Sequence, residues 1–504
     1  MSSPRMQPDA PLWDRRFTIS MRRRRMLEID VERETVGATI CDGPMLPSAD
    51  EPRRPIALAR THVTQYSDRV VDDTHRPSHR LCFASIPSIA LPRAHLMTLI
   101  RPFRALRPAP GRAADVVAPP YDVLSSAEAR DRAKGRPWSF LHVSKAEIDL
   151  DPTIDPYDLA VYAKAAENFR RMIASGVLVR DAKHCYYVYR LTWRDRVETG
   201  LAAVASIAAY AANRIRKHEL TTPAKEDDRV RQIEAVNAHT GPVMLAYPVA
   251  PGIDNLLTGA AGKEPEVDVT ADDGVRHQLW MIDEESTIAS LTRAVEALPA
   301  LYIADGHHRS AAALRVAQAR DQKDGYFLAV LLPQQQMTVL DYNRVLRDLN
   351  GLTSQAILRE IGRCYAIEPS DQPVPPARTD ELGMVLDGRW YRLSLRPEVA
   401  AEAARSGDPV ARLPVVLLSK YVIEPVFGIF DPRRDKRIDF VGGGRGLGEL
   451  ERLVASGEAA AAFAVYPTTM RDLMAVADAG SIMPPKSTWF EPKLADGMVI
   501  HMLD

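Results

Sequence analysis

Asp305-Gly306-His307-His308-Arg309 places an acid, a glycine, two imidazoles and a guanidinium in consecutive positions. The apolar run Leu301-Tyr302-Ile303-Ala304 precedes it and the alanine-rich, helically spaced Ser310 to Gln318 follows, so the motif is read as a strand-to-helix turn. Gly306 permits a sharp backbone turn, and the first amides of the helix then point outward without partners. Such a helix start suits an anion, and Arg309 adds a guanidinium matched to phosphate or carboxylate. As a metal site the turn alone is poor, because adjacent histidines diverge and the i, i+4 spacing of a zinc helix is absent. A capped helix, with Asp305 as N-cap and both histidines solvated, explains the same residues.

Three further polar clusters interrupt ordinary patterning. "RKHELTTPAKEDDRVRQ" (216–232) ends in charges that a helix "DDRVRQIEAVNAH", capped by Asp227 or Asp228, would explain. It leaves His218-Glu219-Leu220-Thr221 unexplained, directly after an apolar segment, at an expected strand end where ligands meet α/β sheets. Asp341-Tyr342-Asn343-Arg344 follows the apolar "MTVL". "MPPKSTWFEPKL" (483–494) fixes an extended backbone with two prolines before Lys486, Ser487 and Thr488, and Trp489-Phe490 can anchor it to a core. No Walker A sequence is present, since "GGGRGLGELE" lacks the lysine.

The elements that must position these clusters alternate between helical and strand signals from Met97 onward, which predicts a mixed α/β (α+β) fold. "SAEARDRAKG" and "YDLAVYAKAAENFRRMIASG" read as helices closed by glycine. "CYYVYRLTW", "HQLWMI" and "YFLAVLLP" read as strands, and "TGLAAVASIAAYA" as strand or short helix. "MVLDGRWYRLSL" (384–395) reads as a hairpin turning at Asp387-Gly388. The proline-rich "PSDQPVPPAR" reads as a linker or exposed loop.

Composition sets the outer bounds. The 504 residues balance 65 Lys+Arg against 66 Asp+Glu, so no global field draws nucleic acid or anionic lipid. Cys41, Cys82, Cys185 and Cys364 stand singly, which argues against a zinc ribbon or disulfide framework and fits a reducing cytoplasm. No apolar run approaches the ~20 residues of a membrane span, so a soluble protein is expected. Residues 1–96 are Arg-rich and aperiodic, as in "MRRRRM"; they read either as a disordered tail or as sequence upstream of a true start at Met97.

Taken in order, A-P-P-Y-D-V (118–123), H-E-x-T (218–221) with Asp228-Arg229, A-D-G-H-H-R (304–309), D-Y-N-R-V (341–345) and M-P-P-K-S-T-W-F-x-P-K-L (483–494) resemble the bacterial family of domain of unknown function 1015. The resemblance spans 97–504. The D-G-H-H-R turn is also similar to the phosphate-gripping turn of the ParB/sulfiredoxin superfamily, which includes free serine kinases. The resemblance implies a small-molecule phosphotransferase making O-phosphoserine from free L-serine, with pyrophosphate or ADP/ATP as donor and Mg²⁺ bridging phosphates. It implies Glu219, His218 and Asp305 as catalytic, with Asp305 the possible protein ligand to the metal. Gly306, His307, His308, Arg309, Arg344 and Lys486 would bind phosphate, and Thr221, Arg229, Asn343, Ser487 and Thr488 the acceptor. It further implies an N-terminal α/β region at 97–200, a ParB/sulfiredoxin-like core at 201–345 and a C-terminal α/β region at 346–504. An extra acid before Arg229 departs from the usual spacing and leaves the roles of Lys225 and Asp227 open.

Other classes have their own requirements. A ParB-like DNA-binding switch needs a helix-turn-helix reader and a basic face, and the sequence offers neither. A sulfiredoxin-like reductase needs cysteine in the turn where histidine stands. A non-catalytic phosphate or nucleotide sensor could use the same grip and stays open. The expected partner is a small molecule, not nucleic acid or membrane, and oligomeric state is not legible.

Overall fold

The computed structural model describes residues 98–503 and, before them, only a two-residue strand pair, Glu28–Ile29 with Ala38–Thr39. The two readings of residues 1–96 otherwise lie outside the described residues. The fold is mixed α/β, with a nine-stranded and a six-stranded sheet as its main layers. In the larger sheet the strands run in the order Val267–Thr270, Arg276–Ile282, Tyr186–Trp193, Arg196–Ser206, Tyr326–Pro333, Val243–Tyr247, Leu301–Asp305 and Ile215–Arg216. Ile100–Arg101 pairs with the end of Arg196–Ser206.

Its central strands are buried on both faces, and this is why they read as unbroken apolar runs. Alternation along them feeds two cores. Leu201, Ala203, Leu245, Ile303 and Leu331 pack with Ile253, Leu257, Leu291 and Ala313 of the covering helices. Ala202, Val204, Met244, Tyr302 and Val330 face a core shared with Leu346, Met384 and Phe463 of the smaller sheet. That sheet runs Tyr365–Ser370, Arg389–Leu395, Glu381–Leu386, Ala461–Val465, Tyr342–Leu346 and Ile438–Gly442.

One pairing decides the position of the site. Leu301–Asp305 lies parallel to Ile215–Arg216, so the chain leaves both strands at the same end of the sheet. His218-Glu219 and the Gly306 turn therefore emerge side by side.

Several expectations change. The helix expected to begin at Asp227 or Asp228 spans Pro223–Val236, with Pro223 in the first turn and Thr222 before it. Proline's fixed φ suits that position, and the two acids lie inside the helix instead of capping it. Asp305 is not an N-cap either: it ends its strand, and Gly306 caps the helix His307–Ala319 without a side-chain bond. The expected boundaries at 200/201 and 345/346 fall inside the strands Arg196–Ser206 and Tyr342–Leu346. The segment "PSDQPVPPAR" keeps its expected character: after its first two residues complete the strand Tyr365–Ser370 it runs as an exposed loop, anchored by the buried Val374. No helix among the described residues is long and apolar enough to cross a membrane.

Candidate functional site

Gly306 turns the chain at φ +100°, in the left-handed region that glycine tolerates. A Cβ there would lie 3.1 Å from Arg309 Nε and 3.3 Å from Val243 Cα, so space as well as backbone conformation favours glycine. The turn is tied down from below. Arg309 donates to the Pro242 carbonyl and, at 3.1 Å, to Asp305 Oδ2, while Lys493 Nζ sits 3.6 Å from the same oxygen. Burial pushes the Asp305 carboxyl up, but Lys493 and Arg309 outweigh it and hold it well below the usual carboxylate range. Burial opposes the charge on Arg309, and Asp305, Asp122 and Asp496 more than offset it.

Glu219 and the turn share a cleft of about 550 Å³ with Tyr121, Asp122, Thr221, Lys225, Tyr342, Arg433, Lys486, Thr488, Trp489 and Lys493. Five cationic side chains line it (Lys225, Arg309, Arg433, Lys486, Lys493) against three acids (Asp122, Glu219, Asp305). In a chain of net charge −1, that local excess favours an anion. Burial raises the Glu219 carboxyl above its ordinary value despite nearby Lys486. His308 lines the cleft and its Nε2 accepts from the Thr222 amide at 3.2 Å. Thr221 donates to Glu226 and so holds the start of the neighbouring helix.

The C-terminal loop reaches the cleft because the Met483 amide donates to the His218 carbonyl at 2.8 Å. Trp489–Glu491 pairs with Thr338–Leu340, which fixes the loop's far end. Lys486, at φ +60°, brings its ammonium 5.4 Å from the Tyr342 ring centre.

His218 lies beneath the cleft, 1% exposed, edge-on to His307 with ring centres 4.5 Å apart. Burial pushes its imidazole down to about 4 although the Ile303 backbone favours the charged form, and neither ring nitrogen completes a hydrogen bond. His307 is buried as well, and its Nδ1 stands 3.7 Å from Glu219 Oε2.

Other expected site residues are placed elsewhere. Arg344 is buried in the smaller sheet, donates to the Tyr342 carbonyl and lies 5.2 Å from the Phe440 ring centre; the expectation of a phosphate contact gains nothing from that position. Asn343 is fully buried and bonds the Val465 amide and Asp341, as a strand-fixing residue does. Ser487 donates inward to the Pro484 carbonyl at 2.7 Å, leaving Lys486 and Thr488 in the lining. Arg229 stacks 3.7 Å from the Tyr121 ring centre, pairs with Asp228 at 2.7 Å, and lines a small adjoining chamber with Arg309 and Asp496. In that chamber burial holds Asp496 up at about 7.

Sequence reasoning gave no role to Tyr121, Asp122, Arg433, Lys493 or Asp496. Tyr121, Asp122 and Lys493 stand within the quoted motifs, whereas Arg433 and Asp496 carry no local signal. A mixed α/β protein with a cation-rich cleft at a sheet end is the class that fold and site define. The chain belongs to the family described as "Protein of unknown function (DUF1015)", whose profile matches residues 100–416.

No curated protein matches the sequence. Among solved structures, a conserved hypothetical protein from Pyrococcus furiosus is 12% identical, covering 60% of this chain and 95% of its own, with TM-score 0.29. SbnI with a C-terminal truncation, from Staphylococcus aureus, is 12% identical over 60% and 87%, with TM-score 0.32. A free serine kinase in complex with AMP is 11% identical over 57% and 86%, with TM-score 0.28. Likeness at these scores carries no argument about activity.

Proposed function

We propose that this chain is a phosphotransferase that moves a phosphoryl group from pyrophosphate or a nucleoside polyphosphate to a small hydroxyl acceptor, free L-serine first among candidates. The observation that carries the reading is the meeting of Glu219, the Gly306 turn, Lys486 and Lys493 in one cationic cleft. Phosphoryl transfer asks a protein mainly for positioning and charge neutralisation, and this cleft offers both. The amides opening the helix His307–Ala319 and the lysine ammoniums suit the donor's phosphates. Arg309 serves from beneath by fixing Asp305 and the turn.

Glu219 takes the hydroxyl proton as the acceptor oxygen bonds to phosphorus and the bond to the leaving phosphate breaks. Burial brings its carboxyl closer to working pH, as a general base requires. The oxygen donors Asp122 and Asp305 are compatible with Mg²⁺ carried in on phosphates, an ion that keeps few protein ligands and neutralises phosphate charge. Asp305 is the less available of the two because Arg309 and Lys493 already face it. The D-G-H-H-R turn's likeness to that of the ParB/sulfiredoxin superfamily belongs to the same proposal.

The experiment incubates purified protein and Mg²⁺ with pyrophosphate, ADP or ATP against a panel of amino acids, followed by phosphorus NMR. Transfer to serine supports the reading. Donor binding without transfer to any acceptor points instead to a phosphate sensor.

A further inference from the structure

We infer that His218, His307 and Glu219 form a binding site for a divalent transition-metal ion of the Zn²⁺ class, distinct from any Mg²⁺ carried by phosphates. One ligand atom from each residue lies within 4.8 Å of the others, and among the described residues no other such group forms. The pair His307 Nδ1 and Glu219 Oε2 stands 3.7 Å apart, too long for a hydrogen bond. That separation suits two ligands on one ion at ~2.0–2.1 Å each, with an angle somewhat wider than tetrahedral. Two such ligands cannot stand farther apart than ~4.2 Å, so binding requires any separation between that and the 4.8 Å limit of the group to close.

The second observation is independent of spacing. Both ring nitrogens of His218 are buried and neither makes a hydrogen bond of good geometry, although the Ile303 backbone approaches the ring; this costs free energy, and an ion on one nitrogen would relieve part of it. His239 provides the contrast: its nitrogens are equally unpartnered, but no third ligand gathers beside it. With the ion on Nδ1, His307 carries its proton on Nε2, so the 3.4 Å bond that Nε2 accepts from the His218 amide is lost and the two N–H groups must turn apart. Two imidazoles and one carboxylate select Zn²⁺, Co²⁺ or Ni²⁺ over Mg²⁺ or Ca²⁺, which prefer all-oxygen sets. Glu219 and His307 line the cleft, so the ion's open coordination position faces it.

A consequence rests on the proposed function: an ion held by Glu219 occupies the carboxylate that would take the acceptor's proton, so occupancy slows transfer.

The test titrates metal-free protein with Co²⁺, read by its visible absorption, and with Zn²⁺ by equilibrium dialysis. One ion per chain is expected, undisturbed by excess Mg²⁺. His218→Ala and Glu219→Gln should each weaken it by more than the ~10–100-fold that loss of a mere supporting partner costs. His218→Asn replaces His218→Ala if circular dichroism shows the latter unfolded. No binding by the wild type, displacement by Mg²⁺, or unchanged affinity in a folded variant overturns the site. Binding that leaves transfer unaffected overturns only the consequence, and a wild type that binds Zn²⁺ but transfers nothing counts against the proposed function alone.

Discussion

Glu219 and Arg309 differ in what surrounds them, and that difference assigns their work. Glu219 stands at the cleft with its carboxyl raised by burial, so it stays protonated to higher pH than an ordinary glutamate. A general base acts only when ionised, so turnover should rise as pH rises through that elevated pKa. Glu219→Gln should remove this acidic limb, lower kcat by ~10²–10⁴-fold and leave donor affinity nearly intact, as pH–rate profiles and calorimetry would report. Arg309 is tied to Asp305 and the Pro242 carbonyl, with its side chain 11% exposed. Arg309→Ala should therefore cost about 3 kcal/mol of stability, the cost of breaking a buried pair, and lower the melting temperature measurably. An unchanged melting temperature would mean that Arg309 serves the ligand only. Its residue type pointed to phosphate from sequence alone; its burial under the turn depends on the Gly241-Pro242 loop, which no local pattern connects to residue 309.

The strand before the turn and the helix after it were legible, as Leu301–Asp305 and His307–Ala319, because burial and helical spacing leave strong periodic signals. The hairpin was legible for a sharper reason. Asp387 and Gly388 both adopt positive φ between Glu381–Leu386 and Arg389–Leu395, as a type I′ turn demands. The parallel pairing of Leu301–Asp305 with Ile215–Arg216 was not legible, since paired residues 86 positions apart leave no periodic trace of register. Nor could the sequence show the histidine pair beneath Glu219, which is assembled across two elements. At this scale Gly306→Ala is the decisive change. It forces a side chain to φ +100° against Arg309 and Val243, so stability should fall by about 1–3 kcal/mol. Donor affinity should fall with it as the amides lose their orientation. Full donor affinity in a folded Gly306→Ala protein would argue against a role for those amides.

Across the whole molecule, segments far apart in sequence build both the sheets and the cleft. Ala461–Val465 sits between Glu381–Leu386 and Tyr342–Leu346, and Ile500 bridges to Leu106, although both lie beyond the family match. A fragment ending at residue 416 would lose a central strand along with Lys486 and Lys493. It should give neither a cooperative melt nor dispersed proton NMR signals; a folded fragment would show the C-terminal segment to be an addition instead of part of the core. Phosphate transfer depends on the convergence of these segments on one cleft. Wild type and Glu219→Gln should be compared with Mg²⁺, pyrophosphate or ADP, and serine, using phosphorus NMR to follow a new phosphomonoester. The wild type should form the ester, and the variant should form it ~10²–10⁴-fold more slowly. Equal rates in two folded proteins, or no ester from any donor and acceptor, would contradict the proposed mechanism.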